Sequence, residues 1–152
     1  MKLSANFSLA ELTKSEAAVR NGIDNTPSLQ VIENLTELVV NVLQPIRDAF
    51  GPVVITSGYR SPEVNKAIGG STTSDHCHGY AADFEVLGMD NKELALWIQE
   101  NLQFRQLILE FYKEGIPDSG WVHCSFNRND LKAQVLTAAK VDGKTKYLVG
   151  IQ

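Results

Sequence analysis

A carboxylate sits in the middle of an apolar run. The stretch Tyr80-Ala81-Ala82-Asp83-Phe84-Glu85-Val86 follows a loop announced by Gly69-Gly70 and a Ser/Thr cluster. An ionised carboxylate taken out of water is strongly destabilising unless something pairs with it. A fold that buries Asp83 must therefore bring a partner to it. The chain has three histidines, and two of them, His76 and His78, lie just upstream in Ser74-Asp75-His76-Cys77-His78-Gly79. The third, His123, sits in another short apolar run, Trp121-Val122-His123-Cys124-Ser125-Phe126. His76, Asp83 and His123 make a candidate ligand set of two imidazoles and one carboxylate. Catalytic zinc sites keep three protein ligands and leave the fourth position to water. The competing reading is that these are ordinary core and loop residues.

The pattern along the chain is helices first and strands later. Ser8 with Glu11, and Thr13 with Glu16, read as capping boxes of two short helical pieces that end near Gly22. Thr26 is expected to cap a longer helix with Pro27 at its first position. Leu29, Ile32, Leu35, Leu38, Val39, Val42, Leu43 and Ile46 follow helical spacing, and this stripe reads as core rather than as a partner groove. Pro45 should kink or interrupt the helix, and Gly51-Pro52 should close it. Val53-Val54-Ile55-Thr56 is a β-branched strand, and Ser61-Pro62 then starts a helix that stops at Gly69-Gly70. Gly79 to Val86 reads as a strand on which Ala81, Asp83 and Glu85 share one face. Asp90 with Glu93 caps the next helix. Strands follow at Phe104 to Tyr112 and Trp121 to Phe126. Asn127 to Asp130 reads as a polar turn. Val135 to Val141 and Lys146 to Ile151 flank Asp142-Gly143, a hairpin signal. The expectation is a single domain over residues 1–152, of α+β class, with N-terminal helices packed on a mainly antiparallel sheet.

The order of the motifs carries a resemblance. Ser57-Gly58-Tyr59-Arg60, then Ser-x-His-x-x-Gly-x-Ala-x-Asp from Ser74 to Asp83, then Trp-x-His at Trp121 to His123 resembles the zinc D-Ala-D-Ala carboxypeptidase family. That family belongs to a wider group of lysostaphin-type, D-Ala-D-Ala and hedgehog-type metal sites. The leading helices and Gly22-Ile23-Asp24-Asn25-Thr26-Pro27 resemble small phage- or prophage-like members. The resemblance implies one zinc ion per chain on His76, Asp83 and His123. It implies a substrate among the D-amino-acid-containing stem peptides of bacterial peptidoglycan. It also implies that Arg60 faces the substrate, where a guanidinium can grip a carboxylate or a developing oxyanion. Ser74 is expected to contact substrate, to orient His76 or to cap the loop. His78 falls at a variable place and reads as a loop residue.

The general base is the least determined role. Several relatives place an acid three positions before the final histidine ligand, and here that position is Gly120. Glu110 is embedded in Leu107-Ile108-Leu109-Glu110-Phe111, where a carboxylate without a partner is disfavoured. If its strand pairs with Trp121 to Phe126, Glu110 and His123 can project on one face. Asp118 is the alternative, and Glu114 looks like another loop carboxylate. A site with no base is the third possibility. Cys77 and Cys124 are expected to be reduced structural thiols, with a disulfide or metal ligation as alternatives; by strand alternation Cys124 points away from the His123 face.

Charge and hydropathy narrow the partners. The formal net charge of −4 argues against tight charge-driven binding to nucleic acid. No apolar stretch is long enough to span a membrane. Met1-Lys2-Leu3-Ser4-Ala5-Asn6 lacks the apolar core of a signal peptide. A monomer is expected, made in the bacterial cytoplasm and reaching the cell wall on release or through a lysis or secretion partner. The leading expectation is zinc-dependent hydrolysis of an amide bond in peptidoglycan stem peptides, as a carboxypeptidase or endopeptidase. The alternative is an inactive zinc-stabilised binding or signalling domain, or a structural domain that binds the wall without cutting it.

Overall fold

The computed structural model describes residues 1–152. Two short helices come first, α1 (Leu9–Thr13) and α2 (Glu16–Asn21). The capping box of Ser8 and Glu11 forms at α1 as expected. At α2 the cap is Ser15, whose side chain accepts from the Ala18 N–H. Thr13 is still inside α1, and its hydroxyl donates back to the Leu9 carbonyl, so it caps nothing. The long helix departs from expectation in the same way. Thr26 bonds Asp24 with both its backbone N–H and its hydroxyl. That local turn holds Thr26 and Pro27 outside the helix, and α3 (Leu29–Leu38) begins after Ser28, whose side chain accepts from Val31.

Pro45 acts as expected, through a π turn. Residues Val39–Leu43 widen to π geometry, and α4 (Gln44–Phe50) resumes with Pro45 in its first turn. Proline has no N–H for the α ladder and its ring clashes with the carbonyl four residues back. The wider turn absorbs both problems: the Gln44 N–H reaches Val39, five residues back. The apolar stripe is core from Leu35 onward; Leu29, in the first turn of α3 and expected in the core, is 81% exposed, and Ile32 is half-buried. Leu35, Leu38, Val39, Val42, Leu43 and Ile46 are all fully enclosed. Each leucine or isoleucine so enclosed contributes roughly 1.5–3 kcal/mol of transfer free energy.

Six strands form one sheet: β1 (Val53–Ser57), β2 (Ala81–Val86), β3 (Gln106–Glu110), β4 (Trp121–Ser125), β5 (Gln134–Val141) and β6 (Lys144–Val149). Their spatial order is β1-β2-β4-β3-β5-β6. Every neighbouring pair is antiparallel except β3 with β5. The class is α+β. Helix α5 (Pro62–Ala67) follows β1, and α6 (Asn91–Asn101), capped by Asp90, follows β2. The Asp142-Gly143 turn closes the β5–β6 hairpin with both residues at positive φ, 52° and 78°.

The two faces of the sheet differ. Ala82, Phe84, Leu107, Leu109, Val122 and Cys124 join the helices in one core cluster. Alternation therefore turns Asp83, His123, Ile108 and Glu110 to the other face. The core face fixes the register, and a slip by one residue would exchange the two sets.

Candidate metal centre

The centre is assembled where β2 meets β4. Asp83 lies directly across from His123 in the ladder, and Ile108 lies across from His123 on the other side. The Asp83 Oδ1 oxygen is 2.9 Å from His123 Nδ1. His76 comes from a short 3₁₀ turn, Asp75–His78, and places Nε2 at 3.4 Å from the same oxygen. One donor atom from each of the three residues falls within 4.8 Å of the others. His76 and His123 are buried, 4% and 8% exposed.

The His76 ring is set by a backbone carbonyl. Its Nδ1 lies 2.8 Å from the Gly58 oxygen. A carbonyl only accepts, so Nδ1 carries the hydrogen and a neutral ring presents Nε2 as a lone pair. That lone pair faces a carboxylate oxygen. Two electron-rich atoms turned toward one point are the donor pattern of a cation site, so the residues fit a metal. Gly58 reaches this position because it packs on α1: a Cβ there would lie 2.3 Å from the Leu12 carbonyl oxygen.

The turn bearing His76 is tied down from several sides. Ser74 Oγ accepts from the His76 backbone N–H at 3.3 Å. Asp75 Oδ2 takes a hydrogen bond from Arg105 Nη1 at 2.6 Å, and Arg105 Nε reaches Asp130 at 2.9 Å. Ser74 thus caps the turn and does not touch the His76 ring. His78 is exposed, beside Tyr80, and stays outside the cluster.

Electrostatics follow from burial and neighbours. Burial pushes the Asp83 pKa up, but the hydrogen bond from His123 and the closeness of the His76 ring outweigh it and hold the carboxyl well below the usual range. Burial pulls His123 down, yet the Asp83 carboxylate more than compensates and the ring's pKa lies above the usual imidazole value. Glu110 moves the other way. Burial raises its pKa first and repulsion from Asp83 adds to it; His123, the Trp121 N–H and Arg60 only partly offset this. Trp121 Nε1 is buried without a partner at full hydrogen-bond geometry, so its help to Glu110 is weak.

Glu110 is opposite Trp121 in the β3–β4 ladder, hence on the His123 face. Asp118 and Glu114 lie exposed in the following loop, and Glu114 pairs with Lys92 at 3.4 Å. Gly120 stands three positions before His123. Its φ is +63°, and a Cβ there would sit 2.0 Å from the Glu110 carbonyl oxygen. No side chain fits at that point.

Arg60 follows β1 and bonds the centre through its backbone, its N–H donating to the His76 carbonyl at 3.2 Å. Its Nη1 donates to Ser57 Oγ at 2.9 Å, and its Nε is buried without a partner. Both cysteines are free and buried. Cys124 lies in the core cluster on the opposite face from His123, and Cys77 contacts the Ser71 carbonyl.

Sequence reasoning missed the Gly58 carbonyl and the Asp75–Arg105–Asp130 bridge. The first is a backbone group without a residue signature. The second joins positions 30 residues apart.

A comparison with curated proteins finds no match. The sequence model of the Peptidase M15 family matches residues 5–125, most of the chain, and takes in Arg60, His76, Asp83, Glu110 and His123. The chain therefore belongs to the Peptidase M15 family of zinc D-Ala-D-Ala carboxypeptidase type, and is a metallopeptidase by descent.

Proposed function

We propose that this chain hydrolyses an amide bond in the peptide stems of bacterial peptidoglycan. The observation that carries the reading is the Glu110 carboxylate placed on the same sheet face as the His76–Asp83–His123 cluster. His76 Nε2, Asp83 Oδ1 and His123 Nδ1 would hold one zinc ion. Bound zinc supplies Lewis acidity, which polarises an amide carbonyl and eases loss of a proton from water.

The other roles belong to the chain's own groups. Glu110 accepts the proton of the attacking water on its carboxylate and returns it to the leaving amine. A raised pKa suits a group that must both take and give a proton near neutrality. Arg60 supplies a guanidinium: its fork can hold a substrate carboxylate or the oxygen that gains charge at the reacting carbon. Ser57 fixes one arm of that fork, and the His76 carbonyl fixes its backbone. The Gly58 carbonyl holds the His76 ring in one tautomer.

The direct test is digestion of purified peptidoglycan with zinc-loaded protein, followed by mass spectrometry of what is released. Stem-peptide fragments or single amino acids, missing with Glu110→Gln, support the reading and identify the bond. Binding to the polymer with no soluble product overturns it in favour of a wall-binding domain.

A further inference from the structure

Three cations stand around one groove beside the candidate centre. The groove, 460 Å³ in volume, lies between α2 and the end of β1; its lining includes Lys14, Arg20 and Arg60 over the apolar floor of Ile55 and Ile68. Its size falls in the roughly 300–1,000 Å³ range of small-ligand sites. The one carboxylate in the lining is Glu16. Lys14, Arg20 and Arg60 take part in none of the molecule's ion pairs. The net charge of the whole chain is −4, so this local excess of positive charge runs against the average.

The groove joins the centre through β1. Ser57 is the ladder partner of Asp83, and Thr56 Oγ1 donates to the Asp83 carbonyl at 3.1 Å. Arg60 lines the groove and is also bonded to the His76 carbonyl. A ligand held by Arg60 therefore has a path along the sheet edge toward Lys14 and Arg20.

We infer that this groove binds the carboxylate-bearing flank of the peptide substrate, with Lys14 and Arg20 as specificity residues that select anionic over amidated peptides. The inference rests on the peptidase reading above for the identity of the ligand. The cations supply charge complementarity, and the apolar floor carries the aliphatic parts of the peptide. Exposed ion pairs are individually weak, so the selection comes from several acting together and is screened by salt.

The test uses two synthetic peptides of the same stem sequence, one with free carboxylates and one with them amidated. With zinc-loaded protein, the double variant Lys14→Gln/Arg20→Gln should raise KM for the free-carboxylate peptide roughly three- to thirtyfold, as expected for two exposed pairs. Its kcat should stay within about twofold, and its KM for the amidated peptide should not move. Lys132→Gln, an exposed cation outside the groove, should change neither. Equal KM changes for both peptides, or none, overturn the inference. A second measurement needs no turnover: ¹⁵N amide shifts of the zinc-free protein, titrated with each peptide. Shifts across Lys14 to Arg20 with the free-carboxylate peptide alone support the groove; their absence overturns it. Such shifts without any cleavage sink the hydrolase reading and leave the groove standing.

Discussion

The centre is held half by strands and half by a loop. Asp83 and His123 are ladder partners in the interior of the sheet, with core residues packed behind them. His76 stands on a four-residue 3₁₀ turn, whose position depends on side chains and one carbonyl. Strand register places the first pair as a by-product of folding the core. The loop residue needs dedicated supports: Ser74 at the turn's start, Arg105 bridging to Asp130, and Gly58 on the ring. The two halves should therefore fail differently under mutation.

The largest effects should come from the ligands themselves. Asp83→Ala and His123→Ala should each abolish stoichiometric zinc, read by elemental analysis of dialysed protein. His76→Ala should do the same if the loop half is a full ligand; retention of one zinc per chain in that variant would reduce the centre to its strand-borne half. Glu110→Gln comes next. It should keep zinc but lose at least about 10²-fold in turnover. It should also raise the thermal stability of the zinc-free protein. The sign follows from the raised pKa: the folded state holds the Glu110 proton more tightly than the unfolded state, so stability falls as pH rises through that window. Above the folded-state pKa the full penalty is present and glutamine removes it. Below the ordinary glutamate pKa of about 4.3 the advantage of glutamine should vanish. Wild-type turnover in Glu110→Gln with a large loss in Asp118→Asn would move the base to the loop.

Smaller effects test the loop supports. Arg105→Gln frees Asp75 and should weaken zinc binding by about tenfold, at the low end for groups that orient ligands. The core should remain intact, with little change in the zinc-free melting temperature. A drop in stability equal to the drop in zinc affinity would mean that Arg105 holds the sheet rather than the turn. Ser74→Ala should be the mildest, about 1 kcal/mol or less, as for loss of a side-chain cap. If capping is its whole role it should leave KM for peptides unchanged; a KM effect with zinc retained would identify Ser74 as a substrate contact as well.

Legibility in the sequence follows the same division. The strands announce themselves through β-branched and apolar runs, and the hairpin through Asp142-Gly143, because those signals are local. The face shared by Asp83, His123 and Glu110 follows from alternation once the pairing is known. Helix starts were less legible. Thr26 and Ser28, or Thr13 and Ser15, offer the same chemistry two residues apart, and the choice was made by Asp24 binding Thr26 and by Thr13 bonding back to Leu9. The parallel pairing of β3 with β5 has no local signal at all. Nor does the Gly58 carbonyl, since every residue has one. Gly120 reads as a missing acid in sequence and as an occupied point in space, where the Glu110 backbone leaves no room.

The Asp83–His123 pairing also orders events in folding. These residues are 40 positions apart, and the strands that bring them together enclose both α6 and β3. The core helices and the β5–β6 hairpin can close over short separations, whereas β2 and β4 must close a long loop. A metal therefore finds its donors gathered only after the middle of the sheet has been built. Zinc should slow unfolding far more than it speeds refolding.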